Sequence, residues 1–128
     1  MNNYVIIDTN VLISALLSPY GNPATILKLV TSQTLHPIVE TRIYQEYQNV
    51  LSRPRFKFSA EDIQAVLILF KNEGLWIVPP PILDDVPDPS DLPFIELAYH
   101  TRAPVITGDA KHFPDDILVL NRENYLKG

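Results

Sequence analysis

The chain has 128 residues, of which 46% are hydrophobic and 20% charged, and it contains no cysteine. This length suits one domain with its own core, so we expect a single domain over residues 1–128. The composition excludes a disordered chain, a disulfide framework and a thiolate metal site. The net charge of −5 argues against a high-affinity, non-specific nucleic-acid binder, which would normally be basic.

The apolar segments are too short or too interrupted for a membrane span. The apolar run from Tyr4 to Leu17 is broken by Asp8, Thr9 and Asn10. No apolar stretch reaches the roughly 18 residues that a spanning helix requires, and no basic region marks a cleavable targeting segment. We therefore expect a cytoplasmic protein.

Short β-branched runs alternate with helical patterns in the first half of the chain. Tyr4–Ile7 is apolar on both faces, as in a parallel strand covered by helices on both sides. Thr9 or Asn10 is expected to cap the first helix, and Thr41 the third. The elements predicted here are the strands Tyr4–Ile7 and His36–Val39 and the helices Val11–Leu17, Ala24–Thr31 and Thr41 to about Ser52.

The second half continues the same alternation. Ser59 is expected to begin a helix that ends near Gly74, because glycine often terminates helices. The elements predicted after it are the strands Leu75–Val78, Pro104–Thr107 and Ile117–Leu120 and the helices from about Ser90 to Thr101 and from Glu123 to Lys127. Alternating strands and helices predict an α/β fold with a central, mostly parallel five-stranded sheet.

Two acidic residues directly follow predicted strands. Asp8 ends the first strand, and Asp109 comes after the fourth strand and a glycine. Because the carboxyl ends of parallel strands form the ligand-binding edge of an open α/β sheet, both residues should emerge at that edge. Taken alone, Asp8 could equally satisfy backbone N–H groups of the next helix, and Asp109 could belong to an ordinary Gly-Asp turn.

Two further acids lean toward the core side of predicted helices. Glu46 is three residues after Ile43 and four before Val50, so it borders the apolar face. Asp91 lies in the first turn of its helix, three residues before Phe94. Simpler interpretations exist for both residues. Glu46 could lie at the border of the apolar helix face and extend its carboxylate into water, and Asp91 could cap its helix. Asp88 is interpreted as a loop or Asx-turn residue rather than a ligand.

Four converging carboxylates would repel one another unless a cation lies between them. Oxygen-only ligands favour hard ions, so Mg²⁺ or Mn²⁺ is expected rather than zinc. Hard ions in an acidic pocket commonly act on phosphate esters. Two such ions would bring the net charge from −5 to about −1.

Three segments of the chain together resemble PIN-domain proteins, of the kind found as toxins of toxin–antitoxin pairs. These segments read VIIDTNVLISALL, TRIYQEYQNVLSRPRF and DPSDLPFIELAYHTRAPVITGDAKHF, in that order. The resemblance implies a three-layer α/β/α fold and a Mg²⁺- or Mn²⁺-dependent ribonuclease, whose cleavage leaves a 5′-phosphate and a 3′-hydroxyl. It also implies an RNA substrate and an antitoxin protein as partners, and we expect a homodimer.

Carried over position by position, the resemblance implies a set of site residues. Asn10 would hold Asp8 or a metal-bound water, and Thr107 would support the site. Many relatives carry a further acid where this chain reads Ala110-Lys111-His112, which removes one ligand for a second ion. The catalytic and metal-binding acids implied are Asp8, Glu46, Asp91 and Asp109.

A basic cluster follows the helix that carries Glu46. Arg53, Arg55 and Lys57 could contact RNA, and Phe56 and Phe58 could stack on bases. The alternative is a basic loop between two helices, without a binding role.

Two other functions fit parts of the pattern. A receiver-like signalling module also has an α/β sheet and a Mg²⁺-binding acidic pocket, but it needs paired acids after its first strand, where this chain has Asp8. A catalytically inactive PIN domain that binds RNA or protein would keep the fold without turnover. The presence of all four acids argues against that second alternative.

Overall fold

The computed structural model describes residues 3–82, 88–109, 113–114, 117 and 119–120. The helix predicted over Glu123–Lys127 and the segment Ala110–His112 lie outside these residues. Among the helices that are described, none is long and apolar enough to cross a membrane.

Five short strands form one sheet, and every neighbouring pair is parallel. The order across the sheet is β3-β2-β1-β4-β5. In the register, Tyr4 lies opposite His36, and Ile7 lies opposite Ile106. The strands are β1 (Tyr4–Ile7), β2 (His36–Val39), β3 (Leu75–Trp76), β4 (Val105–Ile106) and β5 (Val119–Leu120).

Helices connect the strands. Because parallel crossovers are right-handed, the connections β1 to β2 and β2 to β3 place their helices on one face of the sheet, and the return from β3 to β4 places its helix on the other. This confirms the α/β/α layering expected from the sequence. The α-helices are α1 (Thr9–Leu17), α2 (Asn22–Thr31), α3 (Thr41–Leu51), α4 (Ala60–Glu73) and α5 (Leu92–Thr101), with 3₁₀ turns at Pro54–Phe56 and Pro89–Asp91.

The predicted caps of α1 and α3 are wrong by one or two residues. Asp8 is the N-cap residue of α1, but its side chain makes no capping hydrogen bond. Glu40, not Thr41, caps α3, because its carboxylate accepts a hydrogen bond from the Ile43 N–H. Ser59 caps α4 as predicted, through the Asp62 N–H. Glu40 was not considered as a cap, because Ser, Thr, Asp and Asn are the residues usually found at that position.

β3 and β4 are shorter than the sequence predicts. β3 ends at Trp76, and the exposed Val78 and the proline run that follows it lie beyond the strand. β4 excludes Pro104 and Thr107. Trp76 pairs with Val39, the last residue of β2, and Ile106 pairs with Ile7, the last residue of β1, so β3 and β4 end where their neighbouring strands end.

The core is built on β1, whose Val5, Ile6 and Ile7 are all buried. Tyr47 of α3 is fully buried and packs edge-on against Phe70 of α4, with ring centroids 5.4 Å apart. Its hydroxyl donates a hydrogen bond to the Ile7 carbonyl at 2.5 Å. The helix that carries Glu46 is therefore tied directly to the strand that ends at Asp8.

The strand order excludes the receiver-like alternative. From β1 the chain first moves to β2 and β3 on one side, and later returns to β4 and β5 on the other. Receiver modules have the order 2-1-3-4-5, whereas this sheet has the order 3-2-1-4-5. The switch point of this sheet, where ligands bind in open α/β folds, lies between β1 and β4.

Candidate functional site

The site begins at the carboxyl ends of β1 and β4, on either side of the switch point. Asp8 follows β1, and its Oδ2 accepts a hydrogen bond from the Thr107 hydroxyl at 2.6 Å. Thr107 is fully buried, and its oxygen also accepts a hydrogen bond from the Asp109 N–H at 3.0 Å. One hydroxyl therefore joins the two acids that the sequence placed at this edge.

Asn10 makes a second link across the same gap. Its side-chain oxygen accepts a hydrogen bond from the Gly108 N–H at 3.3 Å. The start of α1 is thus attached to the loop after β4. The contact seen for Asn10 is with the backbone of that loop, so a role in holding a bound water stays a proposal.

Glu46 is brought to the site from the middle of α3. Its Oε2 accepts a hydrogen bond from the hydroxyl of Thr9, a buried residue next to Asp8. Burial raises the pKa of the Glu46 carboxyl, and the nearby Asp8 and Asp91 carboxylates raise it further. The Thr9 hydrogen bond and the positive charge of Arg53 act in the opposite direction.

Asp91 enters from the opposite layer, at the turn that leads into α5. This residue is partly buried, and its charge acts on Glu46. Its neighbour Asp88 is exposed and accepts hydrogen bonds from the Ser90 N–H and hydroxyl, at 2.9 and 2.8 Å. Asp88 thus forms the predicted Asx-type turn. Of these two aspartates, Asp91 is the one whose charge raises the pKa of Glu46.

The site also perturbs Tyr47, which follows Glu46 in α3. The pKa of its hydroxyl is raised far above the ordinary value, mainly by complete burial and also by the Asp8 and Glu46 charges. The hydroxyl therefore stays protonated and remains a hydrogen-bond donor to the Ile7 carbonyl. This contact supports the position of Asp8.

A family model described as a PIN domain matches residues 4–111 of this chain. The chain belongs to the PIN-domain family. MJ1680, an uncharacterized protein of Methanocaldococcus jannaschii, is 34% identical over 127 residues, covering 96% of this chain and 79% of that protein. No solved structure gives a significant match. PIN domains are generally nucleases that use divalent metal ions.

The acids of this PIN domain have the chemistry that a hard cation requires, since every donor is an oxygen. The mutual repulsion that raises the pKa of Glu46 is what a cation would relieve. Within the residues that the structure describes, no three Asp, Glu, His or Cys side chains form a ready-made metal cluster. The structure therefore brings Asp8 and Asp91 within electrostatic range of Glu46, but these three acids do not form a closed ligand shell.

Sequence reasoning missed a second polar cluster in this PIN domain, beside the site. Glu96 of α5 is 2% exposed and accepts hydrogen bonds from Arg42 at 2.6 Å and from the Ile82 N–H at 2.8 Å. Arg42 also pairs with Glu40, the buried cap of α3, at 3.0 Å. The cluster joins the helix of Glu46 to the helix that Asp91 begins. An acid within the apolar run Phe94–Ala98 was the signal that could have revealed it.

Thr9 is the other missed residue, because the sequence suggested only a capping role for it. It lies inside α1 rather than at its cap, and it is 6% exposed. A threonine that directly follows an acid at a strand end was the available signal. Its hydroxyl positions Glu46 instead of satisfying the helix backbone.

Proposed function

We propose that this PIN domain is a metal-dependent endoribonuclease. The observation that supports the proposal is the effect of the Asp8 and Asp91 charges on Glu46, together with the position of Asp8 at the switch point of the sheet. Family membership supplies the nuclease chemistry, and the acid-only donor set supports Mg²⁺ or Mn²⁺ as the ion.

Asp8 and Asp109 would bind the cation, and the carboxylates of Glu46 and Asp91 would lie near it. When bound, such an ion lowers the pKa of water and offsets negative charge on a phosphodiester. Thr107 keeps the Asp8 carboxylate in one orientation through its 2.6 Å hydrogen bond. A ligand that is already oriented loses less conformational freedom on binding, which favours a defined substrate geometry.

Glu46 is the residue best suited to accept a proton from the attacking water. Burial raises the pKa of its carboxyl above the ordinary value, and a carboxylate whose pKa is raised accepts a proton more readily than an ordinary one. Since Thr9 occupies Oε2, we assign the proton to Oε1. The water oxygen then bonds to phosphorus, the bond to the 3′-oxygen breaks, and that oxygen takes a proton from solvent.

The test compares RNA cleavage by the wild type with cleavage by Asp8→Asn, in Mn²⁺ and in Mg²⁺. Asp62→Asn is the matched control, because Asp62 is an exposed acid in the first turn of α4. We expect loss of at least 100-fold in the rate for Asp8→Asn and wild-type rates for Asp62→Asn. Equal rates for all three proteins, or cleavage that persists in EDTA, would refute the proposal; binding without turnover would indicate the inactive alternative.

The toxin role is a separate part of the proposal, and it rests on the resemblance of the three motif segments to toxins of toxin–antitoxin pairs. A cytoplasmic RNA target, an antitoxin partner and a homodimer belong to this part. Expression of the wild type should arrest growth, whereas Asp8→Asn should not. A small neighbouring reading frame with a DNA-binding pattern, whose product restores growth, would complete the test, and unimpeded growth with active enzyme present would contradict it.

A further inference from the structure

We propose that the segment Arg53–Phe58 is a single-stranded RNA subsite, in which Arg53 contacts a backbone phosphate and the guanidinium of Arg55 stacks on a base. This inference rests on the proposed ribonuclease function and names the residues that would hold its substrate beside the acids. It also revises the expectation that Phe56 and Phe58 themselves stack on bases.

The Phe56 ring contacts both Phe58 and Arg55. Phe58 packs against the hydrophobic core, and the Phe56 ring lies parallel to it, with centroids 5.4 Å apart and an angle of 9°. The Arg55 guanidinium carbon lies 4.9 Å from the centre of the Phe56 ring. The phenylalanine rings are thus engaged with each other, and the planar cation that they support belongs to an exposed residue.

The segment has a defined backbone, so the stack is arranged before any ligand binds. The Phe56 N–H donates to the Arg53 carbonyl at 3.1 Å, and the Lys57 N–H donates to the Pro54 carbonyl at 3.2 Å. Lys57 then adopts a left-handed conformation, with φ of 55°, which turns the chain toward α4. A preformed site loses less entropy when it binds a flexible single strand.

The acidic site lies within electrostatic reach of this segment. Arg53 lies two residues beyond Leu51, the last residue of α3, the helix that carries Glu46. The positive charge of Arg53 acts on the Glu46 carboxyl. A phosphate next to the scissile one could therefore contact Arg53 while the cleaved bond lies among the acids.

Charge distribution favours RNA over an acidic peptide. Three of the ten Lys and Arg residues, namely Arg53, Arg55 and Lys57, fall in this short segment of a chain with net charge −5, and all three are exposed. A peptide carboxylate pairs with the edge of a guanidinium, whereas a base uses its face. The guanidinium carbon of Arg55 lies over the Phe56 ring, and in this proposal a base approaches the guanidinium from its other side.

The experiment measures binding of a fluorescein-labelled single-stranded RNA of about 12 nucleotides to full-length protein in the Asp8→Asn background, which prevents cleavage. Fluorescence anisotropy is recorded between about 50 and 200 mM salt. The variants are Arg53→Gln, Arg55→Gln, Arg55→Lys and Phe56→Leu, and the control is Arg102→Gln, an exposed arginine beyond the end of α5, on the strand-start side of β4.

Arg53→Gln should weaken binding and lower the slope of log K against log salt by about 0.7, the value for one phosphate contact on a single strand. Arg55→Lys keeps the charge but loses the plane, so it should weaken binding about tenfold with an unchanged slope. Phe56→Leu should weaken RNA binding by the same factor as Arg55→Lys. The double variant should bind only slightly more weakly than either single variant. Arg102→Gln should bind as the parent protein does.

The inference is overturned if Arg55→Lys and Phe56→Leu, shown by thermal melts to be folded, bind RNA as tightly as the parent. It is also overturned if polyglutamate competes as well as RNA of equal length, because the segment would then be a peptide site. Cleavage kinetics in the wild-type background separate this result from the parent proposal. If the wild type is active and the Arg53 and Arg55 variants have the same KM for RNA, only the subsite proposal is refuted. If the wild type does not cleave RNA, the ribonuclease proposal itself is refuted.

Discussion

Replacing Thr107 with valine tests whether one buried hydroxyl organises the site. Valine has nearly the same shape, so the core packing of this fully buried residue is kept while both hydrogen bonds are lost. The bond to the Asp8 carboxylate is charge-assisted, and the Asp109 N–H loses its 3.0 Å acceptor. Together these losses should destabilise the metal-free protein by about 2–4 kcal/mol.

Urea denaturation in EDTA measures this cost. With a slope of about 2 kcal/mol per molar urea, typical of a domain of this size, the midpoint should fall by about 1–2 M. Thr107→Ser is the matched control, because it keeps the hydroxyl and removes one methyl group. Its midpoint should fall by less than half as much as that of the valine variant.

Function should follow the same order. Side chains that orient a metal ligand typically change metal affinity or activity by about 10–100-fold when they are removed. We expect Thr107→Val to need about 10–100-fold more Mn²⁺ for half-maximal RNA cleavage, and Thr107→Ser to remain near the wild type. If serine is as harmful as valine in both assays, packing rather than the hydroxyl is responsible, and the reasoning is refuted.

Three further perturbations test other parts of the molecule. Burial and nearby carboxylates raise the pKa of Glu46, so its ionised form lowers the stability of the fold at neutral pH but not below about pH 4, where the carboxyl is protonated. Glu46→Gln should therefore raise the melting temperature of the metal-free protein at pH 7 but not at pH 3.5. Equal shifts in melting temperature at the two pH values would contradict this. Arg42→Met leaves the buried Glu40 and Glu96 carboxylates without their cation and should lower the free energy of unfolding by about 2 kcal/mol. This value is below that of a fully buried ion pair, because the Arg42 side chain is 47% exposed. An unchanged free energy of unfolding in urea would show that the ion pairs do not stabilise the protein. Gly74→Ala should cost about 1–3 kcal/mol, because its Cβ would lie 2.4 Å from the Phe70 carbonyl oxygen and 2.8 Å from a Val39 methyl group, and unchanged thermal stability would count against that contact.

The sequence predicted those parts of the fold that depend on local pattern. The bounds of β1 and β2 agree with prediction, and α4 begins and ends as the Ser59 and Gly74 signals indicated. The edge strand β3 was predicted two residues too long, because periodicity cannot show where a neighbouring strand stops pairing. The order of the strands was not predicted, since it depends on contacts between distant segments.

The sequence proposed the candidate acids, and the family resemblance proposed Asn10 and Thr107 as supporting residues, but the contact between Thr9 and Glu46 was not predicted. Strand ends located Asp8 and Asp109, and helical spacing located Glu46. Thr9 donates its hydroxyl to Glu46, and threonine is common enough at helix starts that its position in the sequence alone does not indicate such a contact. Thr9 contacts a residue 37 positions away, and such pairings are decided by the three-dimensional packing of α1 against α3.

The separation in sequence between Asp8 and Thr107 has a consequence for synthesis of the protein. Asp8 emerges from the ribosome early, but the hydroxyl that orients it belongs to a residue 99 positions later. β4, which completes the switch point beside β1, is likewise among the last strands to be translated. A nascent chain therefore lacks the hydrogen bond that orients Asp8 until Thr107 has been made and β4 has paired with β1.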